Sequence, residues 1–302
     1  MTAKRHPVLY GLMIYGLVAA GLILLWQGIS YFQNDSWGHP LGRRIAVVPI
    51  RGMITDSRQT VDLIKKYRKD PQVKAIILRI ESPGGGTAAS QEIYREVKKT
   101  VSYKKVVASM GNVAASGGYY VALAANRIVA NPASLTGSIG VILEVSNIQE
   151  LMRKIGVSRE AVKSGPYKDI ASPLRAMTPE ERSLLQEVIR NVHEQFIEAV
   201  MEGRKMSRAE VEKIADGRIF TGRQAKELGL VDDLGSFEDA VDLTKKMVGL
   251  HGEIKLIYPE TKRFSFWDLI FGLFPGEMRQ QALETYPALQ FLWLAPYGSS
   301  PS

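Results

Sequence analysis

Hydrophobic positions run along this chain in three rhythms, and each predicts a different kind of element. The first is unbroken. Val8 to Ile29 reads VLYGLMIYGLVAAGLILLWQGI, and no Lys, Arg, Asp or Glu lies between His6 and Asp35. About 20 such residues, at about 1.5 Å each, cross a hydrocarbon core of about 30 Å, so this stretch predicts one transmembrane helix. The run is longer than the roughly 7–15 residues of a signal-peptide core, and no small-x-small cleavage pattern follows before Asp35. An uncleaved anchor is therefore expected.

The second rhythm begins at Arg44, where short apolar runs alternate with stretches of helical spacing. Strands are expected over Ile45 to Ile50 (IAVVPI), Val73 to Ile80 (VKAIILRI), Lys105 to Met110 and Arg127 to Ala130. Helices are expected over Val61 to Tyr67 and Ala88 to Thr100, with a short Ala-rich helix after Gly118. Strands separated by helix-length segments imply βαβ units and a largely parallel sheet, so the fold class is α/β. Three further helices are read at Pro179 to Glu202, Arg208 to Asp216 and Thr221 to Leu228, the first with Thr178 as its cap and Pro179 at its first position.

The third rhythm is aromatic and broken. Phe264, Phe266, Trp267, Phe271, Phe274, Phe291 and Trp293 are interrupted by Pro275, Glu277, Arg279, Glu284 and Pro287, too often for a second membrane crossing. This tail suits docking on the core, a subunit contact or an interfacial membrane contact. The resulting organisation is a cytoplasmic amino terminus (1–7), a transmembrane helix (8–29), a linker (30–43), a main domain (44–250) and an aromatic tail (251–302).

Charge orients the anchor. Lys4 and Arg5 precede the apolar run and Asp35 is the first charge after it, so the positive-inside rule leaves the amino terminus in the cytoplasm. A single-pass cell-membrane protein with its main domain outside the cytoplasm is expected. The net charge of +8 is spread along the chain without an arginine-rich run interleaved with aromatics, so nucleic acid is not an expected partner. There is no cysteine, which removes disulfides, thiolate catalysis and cysteine zinc sites. The four histidines, His6, His39, His193 and His251, form no HExxH or similar arrangement. No metal and no cofactor are expected.

Candidate chemistry sits on two glycine-rich turns, at 81–86 and 111–118, which a parallel sheet places at the carboxyl ends of strands, where α/β proteins keep their sites. The first lacks GxxxxGK[ST] and GxGxxG, so a phosphate cradle is poorly supported. Its glycines would let backbone N–H groups approach a ligand closely, as in an oxyanion hole. The second turn puts Ser116 before Gly117 and Gly118 at a helix start, where exposed N–H groups and the dipole favour negative charge. A serine there also suits plain helix capping, and spacing alone does not choose. A catalytic serine without a histidine needs a carboxylate or a desolvated lysine as base. Lys168, in the loop 164–169, is one candidate among many lysines.

Taken as an ordered set, ESPGGG (81–86), ASGGYY (115–120), LTGSIGV (135–141) and SGPYKDIASP (164–173) resemble the signal peptide peptidase A family in its short, single-copy form. In this order 52 residues separate Ser116 from Lys168 and 22 separate it from Ser138. The later GRIFTGRQAKELGLVDDLGS (217–236) is similar to the segment that follows the family's dyad. The resemblance covers about residues 44 to 245. It implies Ser116 as nucleophile, Lys168 as general base, Ser138 as a hydrogen-bond partner of the lysine, and the Gly85 and Gly117 N–H groups as the oxyanion hole. It also implies a Clp protease/crotonase-like superhelix of βαβ units and a homo-oligomer. The implied activity is that of a membrane-anchored serine endopeptidase acting on remnant signal peptides and other short hydrophobic peptides.

Three rivals stay in view. A related membrane Ser/Lys protease acting on a stomatin-like protein places its lysine closer to its serine. A crotonase-like acyl-CoA enzyme needs neither the pair nor an anchor. A catalytically silent scaffold would keep the fold alone.

Overall fold

The computed structural model describes residues 14–22, 24–26, 44–259 and 290–292. Residues 14–22 and 24–26 are helical, with Ile14, Leu17, Val18, Leu22, Leu24 and Leu25 exposed. The rest of the expected span 8–29 lies outside the described residues. Among those described, no helix is long and apolar enough to cross a membrane. The aromatic positions of the tail also lie outside the description, except for the backbone of residues 290–292.

The centre of the molecule is an eight-stranded sheet. Its main path runs β7 (Ile219–Thr221), β6 (Leu135–Gly137), β4 (Lys105–Ala115), β2 (Val73–Ser82), β1 (Arg44–Arg51), β9 (Lys255–Ile257). β5 (Arg127–Ala130) pairs with β4 beside β6, and β8 (Asp233–Leu234) extends β5. Every pairing in this sheet is parallel except that of β6 with β7. The α/β expectation holds. β9 joins the sheet edge from within the stretch read as tail.

Strands sandwiched on both faces read as continuous apolar runs, and Ile45 to Val48 and Ala75 to Leu78 are all buried. Alternation sends Ala46, Val48, Ile76 and Leu78 to one face and Ile45, Ala75 and Ile77 to the other. The first face is covered by α1 (Arg58–Lys69), α2 (Thr87–Thr100) and the carboxyl half of α5 (Pro179–Arg204), whose Phe196 and Val200 are fully buried. Between α2 and α5 in sequence lie α3 (Gly117–Ala122) and α4 (Gln149–Lys154). After α5 come α6 (Arg208–Glu212), α7 (Gly222–Glu227) and α8 (Phe237–Met247), and α8 closes the second face with Phe237 and Val241.

α5 begins as the sequence indicates. Thr178 accepts from the Glu181 N–H, Glu181 reaches back to the Thr178 N–H, and Pro179 occupies the first turn. α6 is shorter than the expected 208–216, ending at Glu212 after a capping box of its own between Ser207 and Glu210.

Candidate active site

The nucleophile candidate is delivered by β4, which outruns its regular pairing. Ile80 faces Met110 and Ser82 faces Ala114, so the single residue Glu81 stands opposite Gly111, Asn112 and Val113. Such a bulge would strand backbone groups, and side chains take them up. The Glu81 carboxylate accepts the Asn112 and Val113 N–H groups at 2.9 and 3.2 Å, and Ser134 Oγ donates to the Gly111 carbonyl at 2.6 Å. A Cβ placed on Gly111 would sit 1.8 Å from a Glu81 carboxylate oxygen, so the carboxylate occupies the space a side chain would need. Beyond the bulge β4 pairs with β6, Ala115 facing Gly137, and the Ser116 N–H donates to the Gly137 carbonyl at 2.8 Å.

At Ser116 the chain turns sharply into α3. Its φ of 53° and ψ of −116° are strained for a residue with a Cβ. The side chain makes no capping hydrogen bond, which removes the capping reading. The residue is fully buried, and among the described residues its Oγ has no hydrogen-bond partner. An unpaired buried hydroxyl costs about 1–3 kcal/mol. A strand, a strained turn and a helix start together make the geometry that presents a nucleophile in hydrolases.

The two glycine turns meet here. Gly84–Gly86 forms the short strand β3, with positive φ at Gly84 and Gly85. On one side Ile54 takes the Gly84 carbonyl and the Gly86 N–H, both at 2.8 Å. By strand alternation the N–H and carbonyl of Gly85 point to the other side. There β10 (Gln290–Leu292) pairs antiparallel with β3, residue 291 opposite Gly85. A Cβ built on Gly117 would lie 2.5 Å from Ser90 Oγ, 3.2 Å from the Gly85 nitrogen and 3.3 Å from Gly84 Cα. A side chain at 117 would press on Ser90 Oγ and on the glycine strand, and the two expected oxyanion donors are neighbours. As the first residue of α3, Gly117 carries an N–H without an intrahelical partner.

Ser138 is brought beside this cluster. It follows Gly137, has φ 50°, is buried, and is held by its N–H to the Arg218 carbonyl at 2.8 Å. Lys168 is not brought in. It lies in an irregular, exposed turn, and no hydrogen bond joins it to Ser116. The segment around it also exposes Ile148, Leu151, Ile155, Val162 and Tyr167.

Charged side chains hold that turn. Arg175 donates to both carboxylate oxygens of Asp169, at 2.8 and 2.7 Å, and to its carbonyl at 3.2 Å. The same guanidinium donates to both oxygens of Glu181, one at 2.8 Å. Lys163 adds an ion pair to Asp169 at 2.7 Å. Hydrogen bonds from Arg175 and Lys163 hold the Asp169 carboxyl well below the usual range, and those from Arg175 and the Thr178 N–H bring Glu181 down to about 2. Arg175 itself is pushed up by the hydrogen bonds it donates to the Glu181 and Asp169 carboxylates.

Sequence reasoning missed Glu81, Ser90 and Arg175. Glu81 stands in a quoted motif, but only the bulge reveals its task. Ser90 donates to the Gly86 carbonyl at 3.0 Å from the first turn of α2, where it reads as an ordinary helix residue. Arg175 has its partners six residues away on either side, a spacing that matches no helix or strand period.

Comparison with known proteins places these residues in a lineage. The model for "Peptidase family S49" matches residues 98–251, a stretch that includes Ser116, Ser138 and Lys168 and begins after Gly85. A putative protease of Synechocystis is 46% identical over 209 residues, 69% of this chain and 76% of that protein. A putative signal peptide peptidase SppA of Enterococcus faecium is 36% identical, over 68% of this chain and 63% of its own length. The chloroplastic serine protease SPPA of Arabidopsis thaliana is 35% identical over 72% of this chain and 32% of its own length. Among solved structures, a ClpP1 mutant from Listeria monocytogenes aligns at 17% identity and a TM-score of 0.45, covering 65% of this chain and 94% of its own. With half the chain matched by the family and a relative aligned over three quarters of its length, the protein is a serine peptidase of family S49.

Proposed function

We propose that the protein is a membrane-anchored endopeptidase that cleaves extended hydrophobic peptides, remnant signal peptides among them, with Ser116 as nucleophile and Lys168 as general base. The observation that carries this reading is the buried, unpartnered Ser116 hydroxyl in a strained turn beside Gly117 and Gly85. Ser116 attacks the scissile carbonyl while Lys168 takes its proton. The resulting oxyanion is met by the Gly85 and Gly117 N–H groups, each contributing about 3 kcal/mol in comparable hydrolases. Lys168 then protonates the leaving amine, and water, activated by the same lysine, releases the acyl group. Ser138 holds the lysine amine near Ser116.

Peptide recognition has its own support. β3 presents Gly85 along an edge that accepts an extended antiparallel backbone, and residues 290–292 lie on that edge. A substrate strand would pair there and thread its carbonyl past Ser116. The exposed apolar side chains around Lys168 support assembly with further copies in a ring of Clp/crotonase-like subunits, an assembly that carries the base toward the serine. The uncharged run 8–29 supports an anchor with the peptidase domain outside the cytoplasm, which concentrates enzyme where hydrophobic peptides collect.

The test is hydrolysis of a peptide amide with small apolar side chains, by protein in detergent or vesicles. Ser116→Ala and Lys168→Ala should each abolish turnover in folded protein. Substantial activity in Lys168→Ala would remove the dyad, and inactivity of the unaltered chain on every apolar peptide tried would favour the silent scaffold.

A further inference from the structure

Resting on the Ser116/Lys168 reading, we propose that Arg175 is a positioning residue for the general base: its guanidinium locks the turn that carries Lys168 onto the start of α5. The argument begins with what that turn lacks. Residues 157–176 contain no helix or strand, and most of their side chains are exposed, so little hydrophobic burial fixes their path. A lysine on a freely sampling loop spends most of its time away from the serine, and a misplacement of about 1 Å can cost on the order of 100-fold in rate.

The arrangement around Arg175 answers that need. One face of the guanidinium grips Asp169, the residue immediately after Lys168, through two carboxylate bonds and one carbonyl bond. The other grips Glu181, whose carboxylate is almost fully buried and also caps the first turn of α5. α5 is anchored in the core by Phe196 and Val200, so the grip connects the turn to the rigid body. Between the two gripped carboxylates lies Ala171 at φ 63°, a conformation a residue with a Cβ keeps only when its surroundings impose it. Two further bonds close the turn against α4: the Ile148 N–H to the Pro173 carbonyl at 2.7 Å and the Ala176 N–H to Gln149 Oε1 at 3.1 Å. The planar fork is the part no other side chain supplies. Lysine brings the charge without the bidentate geometry.

The experiment compares the full-length chain with Arg175→Met, Arg175→Lys and Asp169→Asn, with Lys168→Ala as control, using the apolar peptide amide. Arg175→Met should lower kcat about 10- to 100-fold with KM changed less than about twofold. Arg175→Lys should recover part of kcat, and Asp169→Asn should lower kcat in the same way with KM little changed. A kcat within twofold of the unaltered chain in both Arg175→Met and Asp169→Asn overturns the proposal. So does a reduced kcat matched by an equal rise in KM, or a reduced kcat that Arg175→Lys does not partly rescue, either of which would mark a purely structural role. If Arg175→Met fails to fold, Asp169→Asn decides alone by its kcat and KM. Activity retained by Lys168→Ala would instead overturn the dyad, whatever the Arg175 variants do.

Discussion

The two halves of the proposed dyad are built in opposite ways. Ser116 sits at the end of a core strand, fully buried, its backbone fixed by the β6 pairing and by a bulge that Glu81 and Ser134 satisfy. Lys168 sits on an exposed turn held by charged side chains, with apolar neighbours facing outward. The difference teaches that the proposed nucleophile and oxyanion donors are fixed by the folded core, whereas the proposed base rides on a turn fixed by ion pairs. Backbone strain occurs on both sides, at Ser116 and Ser138 in the core and at Ala171 in the turn, but the unpaired Ser116 hydroxyl lies on the rigid side, where the surrounding core can impose it.

The sharpest way to break this contrast is to remove each member of the pair. Ser116→Ala should lose activity by on the order of 10⁴-fold or more, and it should be as stable or more stable, by up to about 1 kcal/mol, because the lost hydroxyl has no partner among the described residues. Lys168→Ala should lose comparable activity and change stability by less than about 0.5 kcal/mol, as expected of an exposed site. A clear destabilisation by Ser116→Ala, read from denaturant melts, would show that the hydroxyl is satisfied after all. Next in size is Gly117→Ala. Its Cβ must push on Ser90 and the glycine strand, so kcat should fall about 100-fold, with a stability loss of about 1–3 kcal/mol.

A smaller effect sharpens the other side. Glu181 has its carboxyl lowered to about 2 in the folded chain, below the unfolded value of about 4.3. A depressed carboxylate stabilises above its unfolded value and loses that contribution as pH falls through its folded one. The difference in denaturant midpoint between the unaltered chain and Glu181→Gln should therefore stay constant above about pH 5 and shrink as pH falls toward 2. A difference that vanished already near neutral pH would show that the turn is not held by this ion pair. The smallest expected effect is that of Phe291→Pro, which removes a backbone N–H from the edge beside Gly85. Peptide KM should fall about two- to threefold with kcat unchanged, since an incoming strand would meet a weaker competitor; an unchanged KM would mean that substrates do not use this edge.

The strands of the sheet were legible because burial on both faces leaves an unbroken apolar run, as in IAVVPI and VKAIILRI. The start of α5 was legible because Thr178, Pro179 and Glu181 form a complete local signal. The expectation that Gly85, Gly117, Ser116 and Ser138 form one site rests on ordered motifs rather than on any periodicity. Two features were hidden for physical reasons. β4 was read as ending at Met110, because the bulge from Gly111 to Val113 interrupts the strand pattern while a side chain from another strand sustains the ladder. The position of Lys168 depends on ion pairs and outward-facing apolar side chains, neither of which leaves a repeat in the sequence.

The bulge also ties two positions together over evolutionary drift. Any side chain at Gly111 evicts the Glu81 carboxylate, and any loss of that carboxylate leaves the Asn112 and Val113 N–H groups unpaired just ahead of Ser116. Neither position is free to wander alone. A lineage that exchanged one would have to exchange the other with it, so residues 81 and 111 should behave as a single inherited unit.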